Sequence, residues 1–374
     1  MRSFYDSIFF NVPHLRFPEF TEEWETKPIN DLAVVIGGGT PDTTVKSYWD
    51  GEIQWFTPSE IGKTKYVDSS LRTITEDGLN NSSAKRLPPN TILLSSRATI
   101  GECSLSLREC ATNQGFQSLV SKKCNVDFLY YLIQTKKNDL IRKSCGSTFL
   151  EISANEVRKI QVSIPSDVEQ QKIAGLLSLI DERITTQNKI IERLETLIKG
   201  ITQNITLHNK PNVRISECLE CTSSTLQESD ALRSGTYPVY GANGIVGYLD
   251  NYSTQDEAVY IIKDGSGVGT VSYVIGKCSA TGTLSILQAK EGYSLQYLYY
   301  LLKVFNFEPY KTGMAIPHIY FKDYGKAKIF CPSYSKQLRY AKLLSAIDEK
   351  LLAEQKILTN LGLQKQYLLR QMFI

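Results

Sequence analysis

Long apolar runs are missing from this 374-residue sequence. No stretch approaches the roughly 18 consecutive apolar residues by which a membrane-spanning helix is recognised. The first 17 residues also lack an uninterrupted apolar core followed by a small-residue cleavage site, so we expect no signal peptide. Both absences favour a cytoplasmic protein.

Metal-binding and redox patterns are equally scarce. The three histidines, His14, His208 and His318, are too few and too scattered to complete a zinc tetrad or a catalytic triad. Of the eight cysteines, only Cys218 and Cys221 form a C-x-x-C pair, and no second pair accompanies them. We therefore expect reduced structural thiols and no bound metal.

Motifs for nucleotide binding and catalysis are incomplete. The glycines at 265–269 lack the Gly-Lys-Ser/Thr ending of a phosphate-binding loop and favour a hairpin. Residues 36–41 do not match a dinucleotide fingerprint, and the Asn/Asp-Pro-Pro-Tyr/Phe segment of amino-methyltransferases is missing. Asp42 and Glu52 form a loose nuclease-like pair of carboxylates able to hold Mg²⁺, and this alternative stays open. We otherwise predict no catalytic residues.

Neither sign of charge is in marked excess. The chain has 42 Lys and Arg residues against 39 Asp and Glu residues, a net charge of +3. A protein that grips DNA phosphates by itself usually has a strongly basic body. If nucleic acid is the partner, local basic clusters or another subunit must supply much of the electrostatic attraction.

The sequence does contain an internal repeat. Residues 174–191 (AGLLSLIDERITTQNKII) recur as residues 341–358 (AKLLSAIDEKLLAEQKIL), at an offset of 167 positions. Further upstream, LYYL at 129–132 recurs at 298–301. We interpret the chain as a tandem duplication in which each copy is a globular part followed by a helix.

Each repeated segment has a heptad period, with apolar residues at alternating spacings of four and three. This pattern predicts two long helices that pack on each other along one seam. Gln187 and Glu354 interrupt the seam at equivalent positions, and we predict that they lie close together where two antiparallel helices cross. The predicted seam residues are Ile173, Leu177, Ile180, Ile184, Gln187, Ile191, Leu194, Leu344, Ile347, Leu351, Glu354, Leu358 and Leu361.

The part before each helix has mixed strand and helix patterns. Short apolar runs bounded by glycine, proline and polar turns predict strands within 53–61, 91–107 and 258–275. Helical patterns occupy 127–143 and 294–305. Each part therefore combines several short strands with one or two helices.

The predicted fold class is α/β in the mixed α+β sense. It has two globular domains separated by two long antiparallel coiled-coil helices, arranged as a pseudo-two-fold tandem repeat. The predicted boundaries are 1–164 for the first domain, 165–206 for the first helix, 207–331 for the second domain and 332–374 for the second helix.

Polar and aromatic side chains cluster in predicted loops of both domains. Asn and Gln can make bidentate hydrogen bonds to adenine in the major groove, and Arg or Lys to guanine. The candidate DNA-binding residues are Lys46, Tyr48, Trp49, Arg97, Asn113, Gln114, Lys143, Ser147, Thr148, Tyr240, Asn243, Lys263, Ser266, Lys311 and His318. Amides and aromatic side chains also cap turns and fill cores, so that alternative stays open for each residue.

Several short motifs follow one another across nearly the whole chain. They are PHLRFPEF at 13–20 with Trp24, GGTP at 38–41, TNQGF at 112–116, YPVYGANGIVG at 237–247, the loops at Gly146 and Gly313, and the Pro-x-x-x-x-Gln starts of both long helices. In this order, and with the duplicated helix, they resemble the specificity subunit of Type I restriction–modification systems. At the second helix start, Ser335-Lys336-Gln337 departs from the Glu-Glu-Gln that is frequent in that family, and the first copy has Val168-Glu169-Gln170.

The resemblance implies two target-recognition domains, each reading one half of a split sequence in double-stranded DNA. It implies two helices that set the spacing and dock two methyltransferase subunits, which methylate adenine at N6, with restriction (motor-nuclease) subunits joining for cleavage in phage defence. The chain itself is then non-catalytic and binds no cofactor, while S-adenosylmethionine, ATP and Mg²⁺ are expected on the partner subunits.

Two other functions stay open on the residues alone. The first is an interaction scaffold whose domains bind proteins and whose helices form a dimer. The second is a nuclease that uses Asp42 and Glu52.

Overall fold

The computed structural model describes residues 11–146, 150–313 and 316–374. The chain forms two compact units, which are described separately below. Unit 1 comprises the residues up to Gln187 together with Ile357–Ile374, and unit 2 comprises Asn188–Lys356.

Unit 1 mixes short strands and short helices. Its strands are β1 (Glu25–Pro28), β2 (Ala33–Gly37), β3 (Trp49–Phe56), β4 (Tyr66–Val67), β5 (Arg72–Ile74), β6 (Ile92–Leu94), β7 (Cys103–Ser106), β8 (Cys110–Thr112), β9 (Gln117–Ser121) and β10 (Gln161–Ile164). Its helices are α1 (Ile29–Leu32), α2 (Glu76–Asn80), α3 (Val126–Thr135), α4 (Lys137–Arg142), α5 (Ala154–Lys159) and α6 (Asp167–Leu207), the last continuing into unit 2.

The strands of unit 1 form small sheets. One has the order β2-β9-β6-β7-β4, a second has the order β5-β3-β8, and β1 pairs antiparallel with β10. Helix α3 supplies much of the core because its run from Phe128 to Ile133 is buried. Asn125 caps this helix, its side chain accepting a hydrogen bond from the Phe128 N–H at 2.9 Å.

Unit 2 repeats this mixture of elements. Its strands are β11 (Val213–Arg214), β12 (Leu219–Ser223), β13 (Tyr237–Gly241), β14 (Gly244–Leu249), β15 (Glu257–Ile262), β16 (Val271–Ile275), β17 (Ser279–Ala280), β18 (Leu284–Ala289) and β19 (Lys328–Ile329). Its helices are α7 (Ile215–Cys218), α8 (Leu295–Val304), α9 (Phe321–Tyr324) and α10 (Tyr334–Gln371), the last continuing into unit 1.

The sheets of unit 2 have the orders β12-β18-β15-β16 and β14-β13-β17. Strands β15 and β16 form the hairpin predicted around the glycines, with Val259 opposite Tyr273. The mixed fold class predicted from the sequence is confirmed. Two local predictions differ from the structure: Pro58–Glu60 forms a 3₁₀ turn beyond β3, and the single helical pattern at 127–143 is divided at Lys136 into α3 and α4.

In unit 1, the first half of α6 packs on the last turns of α10. Arg16 makes a bidentate ion pair with Glu169, both bonds 2.7 Å long, while the neighbouring Leu15 N–H donates to Gln371 O at 2.8 Å. Further along α6, Asp181 pairs with Lys365 at 2.7 Å. Since the position along α6 rises as the position along α10 falls, the two helices run antiparallel in this unit.

In unit 2, the second half of α6 packs on the first half of α10. Ile198 and Ile205 lie in one buried cluster with Leu344 and Leu351. Each long helix therefore contributes apolar side chains to both cores. This explains why the heptad pattern occurs in both helices and continues along each of them.

The predicted seam positions differ in burial. Buried are Ile173, Leu177, Ile180, Gln187, Leu344, Leu351 and Glu354, and half-buried are Ile184, Ile191, Leu194, Ile347, Leu358 and Leu361. Gln187 belongs to unit 1 and Glu354 to unit 2. Their close approach stays a prediction.

The glutamine of each Pro-x-x-x-x-Gln motif joins the start of a long helix to the cap of a shorter one. In unit 1, Gln170 accepts from the Asn125 N–H at 3.0 Å and donates to Pro165 O at 3.0 Å. In unit 2, Gln337 accepts from the Ser294 N–H at 2.9 Å and donates to Pro332 O at 2.9 Å.

The residue before this glutamine differs between the copies. Glu169 is buried in the ion pair with Arg16, whereas its counterpart Lys336 is exposed. The departure from the Glu-Glu-Gln pattern therefore leaves the glutamine contacts of the second helix start in place.

Within residues 11–146, 150–313 and 316–374, no helix is long and apolar enough to cross a membrane. The same ranges contain no cluster of three or more His, Cys, Asp or Glu side chains placed to hold a metal ion.

Candidate nucleic-acid interface

The GGTP and TNQGF motifs of unit 1 lie against each other. Gly39 N–H donates to Thr112 O at 2.8 Å, and the Thr40 hydroxyl donates to the side-chain oxygen of Gln114. A Cβ atom at Gly38 would lie 2.0 Å from Asn113 O, so only glycine permits this approach. The contact fixes the loop that carries two of the candidate amides.

Asn113 and Gln114 have different environments in that loop. The Asn113 side-chain oxygen accepts from Gly115 N–H at 2.8 Å, forming a local turn, and the residue is half-buried. Gln114 is exposed. Gln114 is therefore better placed than Asn113 to reach a base edge.

Arg97 lies beside the same loop. The preceding Ser96 donates its N–H to Gly115 O at 2.8 Å and accepts from Ile152 N–H at 3.1 Å. The Arg97 guanidinium forms an ion pair with Glu151 at 2.9 Å. The structure thus brings Arg97, Asn113 and Gln114 into one loop cluster.

The residue after Arg97 has an unusual backbone conformation. Ala98 has φ of 55°, in the left-handed region that costs a residue with a Cβ about 1–3 kcal/mol. The equivalent position in the second copy is Gly265, with φ of 94°. Both copies thus have a left-handed residue at this position, and only the second has glycine, which adopts it without strain.

Three further candidates of unit 1 follow α4 in the sequence. Lys143 is exposed, and beyond it Cys145 and Glu151 exchange backbone hydrogen bonds. Ser147 and Thr148 lie outside the described residues.

Lys46 and Tyr48 lie in the 3₁₀ turn before β3, and Trp49 is the first residue of that strand. Lys46 is exposed and Tyr48 is half-buried. The Trp49 side chain is only 8% exposed, packs edge-to-face on Trp55 and donates its indole N–H to Asp42 O at 3.1 Å. Burial leaves Trp49 little surface with which to stack on a base.

Arg72 is a candidate that the sequence reasoning missed. Its guanidinium carbon lies 3.5 Å from the centroid of the Trp49 ring, and the residue is exposed. Stacking on tryptophan orders an arginine while leaving its N–H groups able to bind a phosphate or a base. Nothing local in the sequence signals this pairing, because β3 and β5 meet only in the folded sheet.

The nuclease alternative receives no support from the environment of its first carboxylate. The Thr44 hydroxyl and backbone N–H donate to Asp42 at 2.7 and 2.8 Å, and these hydrogen bonds lower the pKa of Asp42. The carboxylate is thus accounted for by a local turn.

In unit 2, the candidates Lys263, Ser266, Lys311 and His318 come together around two adjoining loops. His318 exchanges backbone hydrogen bonds with Thr312 at 2.9 and 2.7 Å, and its Nδ1 lies 2.6 Å from an Asp264 carboxylate oxygen. Lys263 O accepts from Ile319 N–H at 2.9 Å. Ser266 is exposed at the tip of the glycine-rich turn.

Tyr240 and Asn243 approach this region through β13 and its turn. Tyr240 packs edge-to-face on Tyr260, and Tyr240 O accepts from Thr281 N–H at 2.8 Å. Lys263 N–H donates to Thr283 O at 3.0 Å, so the segment 281–283 joins Tyr240 and Lys263. Asn243 is exposed at the end of the β13–β14 hairpin.

The loop clusters of the two units are built on the same frame. At the offset of 167 positions, Arg97 corresponds to Asp264 and Glu151 to His318, and each pair forms an antiparallel bridge. The side chains at these positions differ. Unit 1 pairs the cation of Arg97 with the carboxylate of Glu151, and unit 2 pairs the carboxylate of Asp264 with the imidazole of His318. Glu151 and Asp264 are not among the candidates predicted from the sequence. The repeat offset is the signal that could have found them, because it aligns them with the candidates His318 and Arg97.

Comparison with known proteins finds relatives among Type I restriction specificity subunits. A family model described as "Type I restriction modification DNA specificity domain" matches residues 21–196 and again residues 210–361. The EcoprrI Type I restriction enzyme specificity subunit of Escherichia coli is 25% identical over 355 residues, 87% of this chain and 88% of that protein.

Other relatives match only part of their length. The MjaIX specificity subunit of Methanocaldococcus jannaschii is 38% identical over 188 residues, which are 49% of this chain and 44% of that protein. The chain thus matches less than half the length of that relative.

Solved structures share the fold. A Type I restriction–modification S subunit from M. genitalium has a TM-score of 0.65 with 18% identity, over 97% of this chain and 99% of that one. At this identity the likeness concerns the fold alone.

Proposed function

We propose that this chain, which belongs to the family of Type I restriction modification DNA specificity domains, reads a bipartite DNA sequence with its two globular parts. One observation carries the proposal. Glu151 bridges Arg97 and Cys145 in unit 1, and the equivalent His318 bridges Asp264 and Thr312 in unit 2, so both units use one bridge pattern with different side chains. Two copies of one reader with different contact residues are what two different half-sites require.

The reading surface combines amides with cations. Gln114 and Asn243 are exposed, and Arg72, Lys46, Lys143 and Lys263 lie on or near the loops that carry the candidates. Amides suit adenine and guanidinium or ammonium groups suit guanine or phosphate. We assign base reading to the exposed amides and to Ser266, and positioning on the phosphates to the exposed cations.

The long helices are proposed to set the separation of the two readers. Helix α6 has 41 residues, which correspond to about 60 Å of helix. An antiparallel pair of this length is stiff enough to fix a spacer of unread base pairs between two half-sites.

The same helices are proposed to dock two methyltransferase subunits, which methylate adenine at N6 and through which restriction subunits join. S-adenosylmethionine, ATP and Mg²⁺ then belong to those partners, and this chain is non-catalytic and cytoplasmic. The small net charge of +3 supports this division, since the partners contribute phosphate contacts that this chain lacks. DNA affinity at matched salt is expected to be much higher for the assembled complex than for the isolated chain.

The decisive experiment maps methylated adenines in cells with and without this gene. A split motif that is methylated only when the gene is present supports the proposal and identifies both half-sites. An unchanged methylation pattern, in cells shown to produce the chain and its methyltransferase partner, contradicts it. Mg²⁺-dependent DNA cleavage by the purified chain supports a nuclease instead.

A further inference from the structure

A cavity of about 840 Å³ lies within unit 2. Its walls come from β16, from α8 and from the unit 2 stretches of α6 and α10. Tyr299, Tyr300, Ser345 and Asp348 give it a polar wall, and two strongly exposed apolar side chains also line it, Ile275 (78% exposed) and Leu352 (64% exposed).

The corresponding place in unit 1 is filled by this chain's own lysines. By the internal repeat, Tyr131, Ser178 and Asp181 correspond to Tyr300, Ser345 and Asp348. Lys65 donates to the Ser178 hydroxyl at 2.7 Å and lies 4.9 Å from the centroid of the Tyr131 ring. Its side chain is only 5% exposed.

A second ammonium completes the arrangement in unit 1. Lys365 pairs with Asp181 at 2.7 Å, and the Tyr131 hydroxyl donates to the same carboxylate at 2.6 Å. A half-buried carboxylate is therefore satisfied by a cation and a phenol, as its removal from water demands.

Unit 2 keeps the tyrosine, serine and aspartate of this arrangement but has no counterpart of its two lysines. Ile198 stands at the position that corresponds to Lys365, and among the described residues no Lys, Arg or His forms an ion pair with Asp348. The Tyr300 hydroxyl donates to Asp348 at a longer 3.3 Å. Lys303 is instead placed over the Tyr299 ring, 5.2 Å from its centroid.

The charges of the cavity favour a cationic occupant. Glu195, Asp348 and Glu349 line it together with Lys199 and Lys303, so its acidic groups outnumber its basic groups by one. Tyr273, Tyr299 and Tyr300 give the wall aromatic surface, where Lys303 already lies over the Tyr299 ring, and the exposed Leu352 and Ile275 offer apolar contact beside it. A lysine or arginine side chain next to an apolar residue matches all three features.

We propose that this cavity receives a lysine or arginine side chain of the docked methyltransferase subunit, at the place where unit 1 uses its own Lys65 and Lys365. The inference rests on the proposed function, which supplies that partner. The two units then differ in docking: unit 1 has an internally completed site, and unit 2 has a site that the partner completes.

The first test measures binding of the purified full-length chain to its methyltransferase subunit by titration calorimetry. Asp348→Asn removes the charge while keeping the shape, and we expect at least about a ten-fold weaker affinity at the unit 2 site, since truncating one member of a desolvated charge pair costs affinity. Glu291→Gln, an exposed acid of unit 2 outside the cavity, is the matched control and is expected to bind as the unchanged chain does.

A second measurement does not depend on the charge. A photo-reactive p-benzoylphenylalanine replaces Leu352 in one variant and Leu363 in another, two leucines of α10 with 64% and 60% exposure. Leu352 lines the cavity and Leu363 does not. We expect position 352 to cross-link to a lysine- or arginine-containing segment of the methyltransferase, and position 363 to give no cross-link to that same segment.

The outcomes distinguish a failure of the proposed function from a failure of the cavity as the docking site. If the unchanged chain fails to bind the methyltransferase subunit, the proposed function itself is contradicted. If it binds, but Asp348→Asn binds equally well and position 352 yields no methyltransferase adduct, the cavity is not the docking site. A cross-link from position 352 to a second copy of this chain also overturns the inference.

Discussion

At the scale of single residues, Gln170 is an instance of a buried side chain that joins two helices. It is 1% exposed and bridges a backbone N–H at the cap of α3 and a carbonyl just before α6. Gln337 makes the equivalent bonds in unit 2. Both backbone groups lack an intrahelical partner because they lie at or before helix starts.

Replacing Gln170 tests the value of this bridge. Gln170→Ala leaves a buried N–H and a buried carbonyl without partners, so we expect the free energy of unfolding to fall by about 1–3 kcal/mol. Urea denaturation followed by circular dichroism measures the change. Gln171→Ala, at the exposed neighbour on the same helix, is the control and should alter stability by less than about 0.5 kcal/mol. Equal effects of the two substitutions would contradict the assignment.

The cysteines provide a second prediction at this scale. Burial raises the pKa of the Cys103, Cys110 and Cys124 thiols to about 12. At pH 8 only about one such thiol in ten thousand is the reactive thiolate. We expect iodoacetamide to label the exposed Cys145 and to spare these three until the protein is unfolded, as read by mass spectrometry.

The same pKa shifts give a sign for the pH dependence of stability. The folded state holds these thiols neutral, so their contribution is complete below the ordinary thiol pKa of 9.0 and is lost as the pH rises towards 12. Stability that increased between pH 9 and 11 would contradict this contribution.

At the scale of elements, the helices and strands show which structural features a sequence reveals. The heptad pattern indicated both long helices, and the mixed patterns indicated the fold class, because periodicity is local information. The sequence does not predict the division at Lys136, since the apolar pattern continues on both sides of it. The sequence predicts Trp49 as a DNA contact, but its burial depends on strands that are distant in the sequence.

Contacts between distant segments explain the other omissions. Arg72 stacks on Trp49, and Arg97 pairs with Glu151, although neither partner is a near neighbour in the chain. The repeat offset predicts correspondence between positions but not the side chains with which each position pairs.

The exposed amides allow a test of separate reading by the two units. Gln114→Ala is expected to weaken discrimination at one half-site and Asn243→Ala at the other, each by about 1–3 kcal/mol if it removes a bidentate base contact. The measurement is binding of the assembled complex to DNA in which one half-site at a time is altered. Gln203→Ala, an exposed amide on α6, is the control. Loss at both half-sites from a single substitution would contradict independent readers.

At the scale of the whole molecule, the long helices connect everything that the two units do. Each of them begins in one unit and ends in the other, and each contributes apolar side chains to both cores. The polar residues at the middle of each helix are predicted to fix the register of the pair.

Gln187 and Glu354 are the residues on which this register is predicted to depend. Both are buried despite being polar, which is costly unless they meet partners. Cysteines placed at both positions are expected to be joined efficiently by a thiol cross-linker about 10 Å long, the separation of packed helix axes. Peptide mapping distinguishes this product from links to native cysteines. The control pairs Gln187→Cys with Leu343→Cys, which lies eleven positions from 354 and so about 16 Å further along α10. Cross-linking at the control pair but not at 187 and 354 would show a different register, and with it a different separation of the two half-sites.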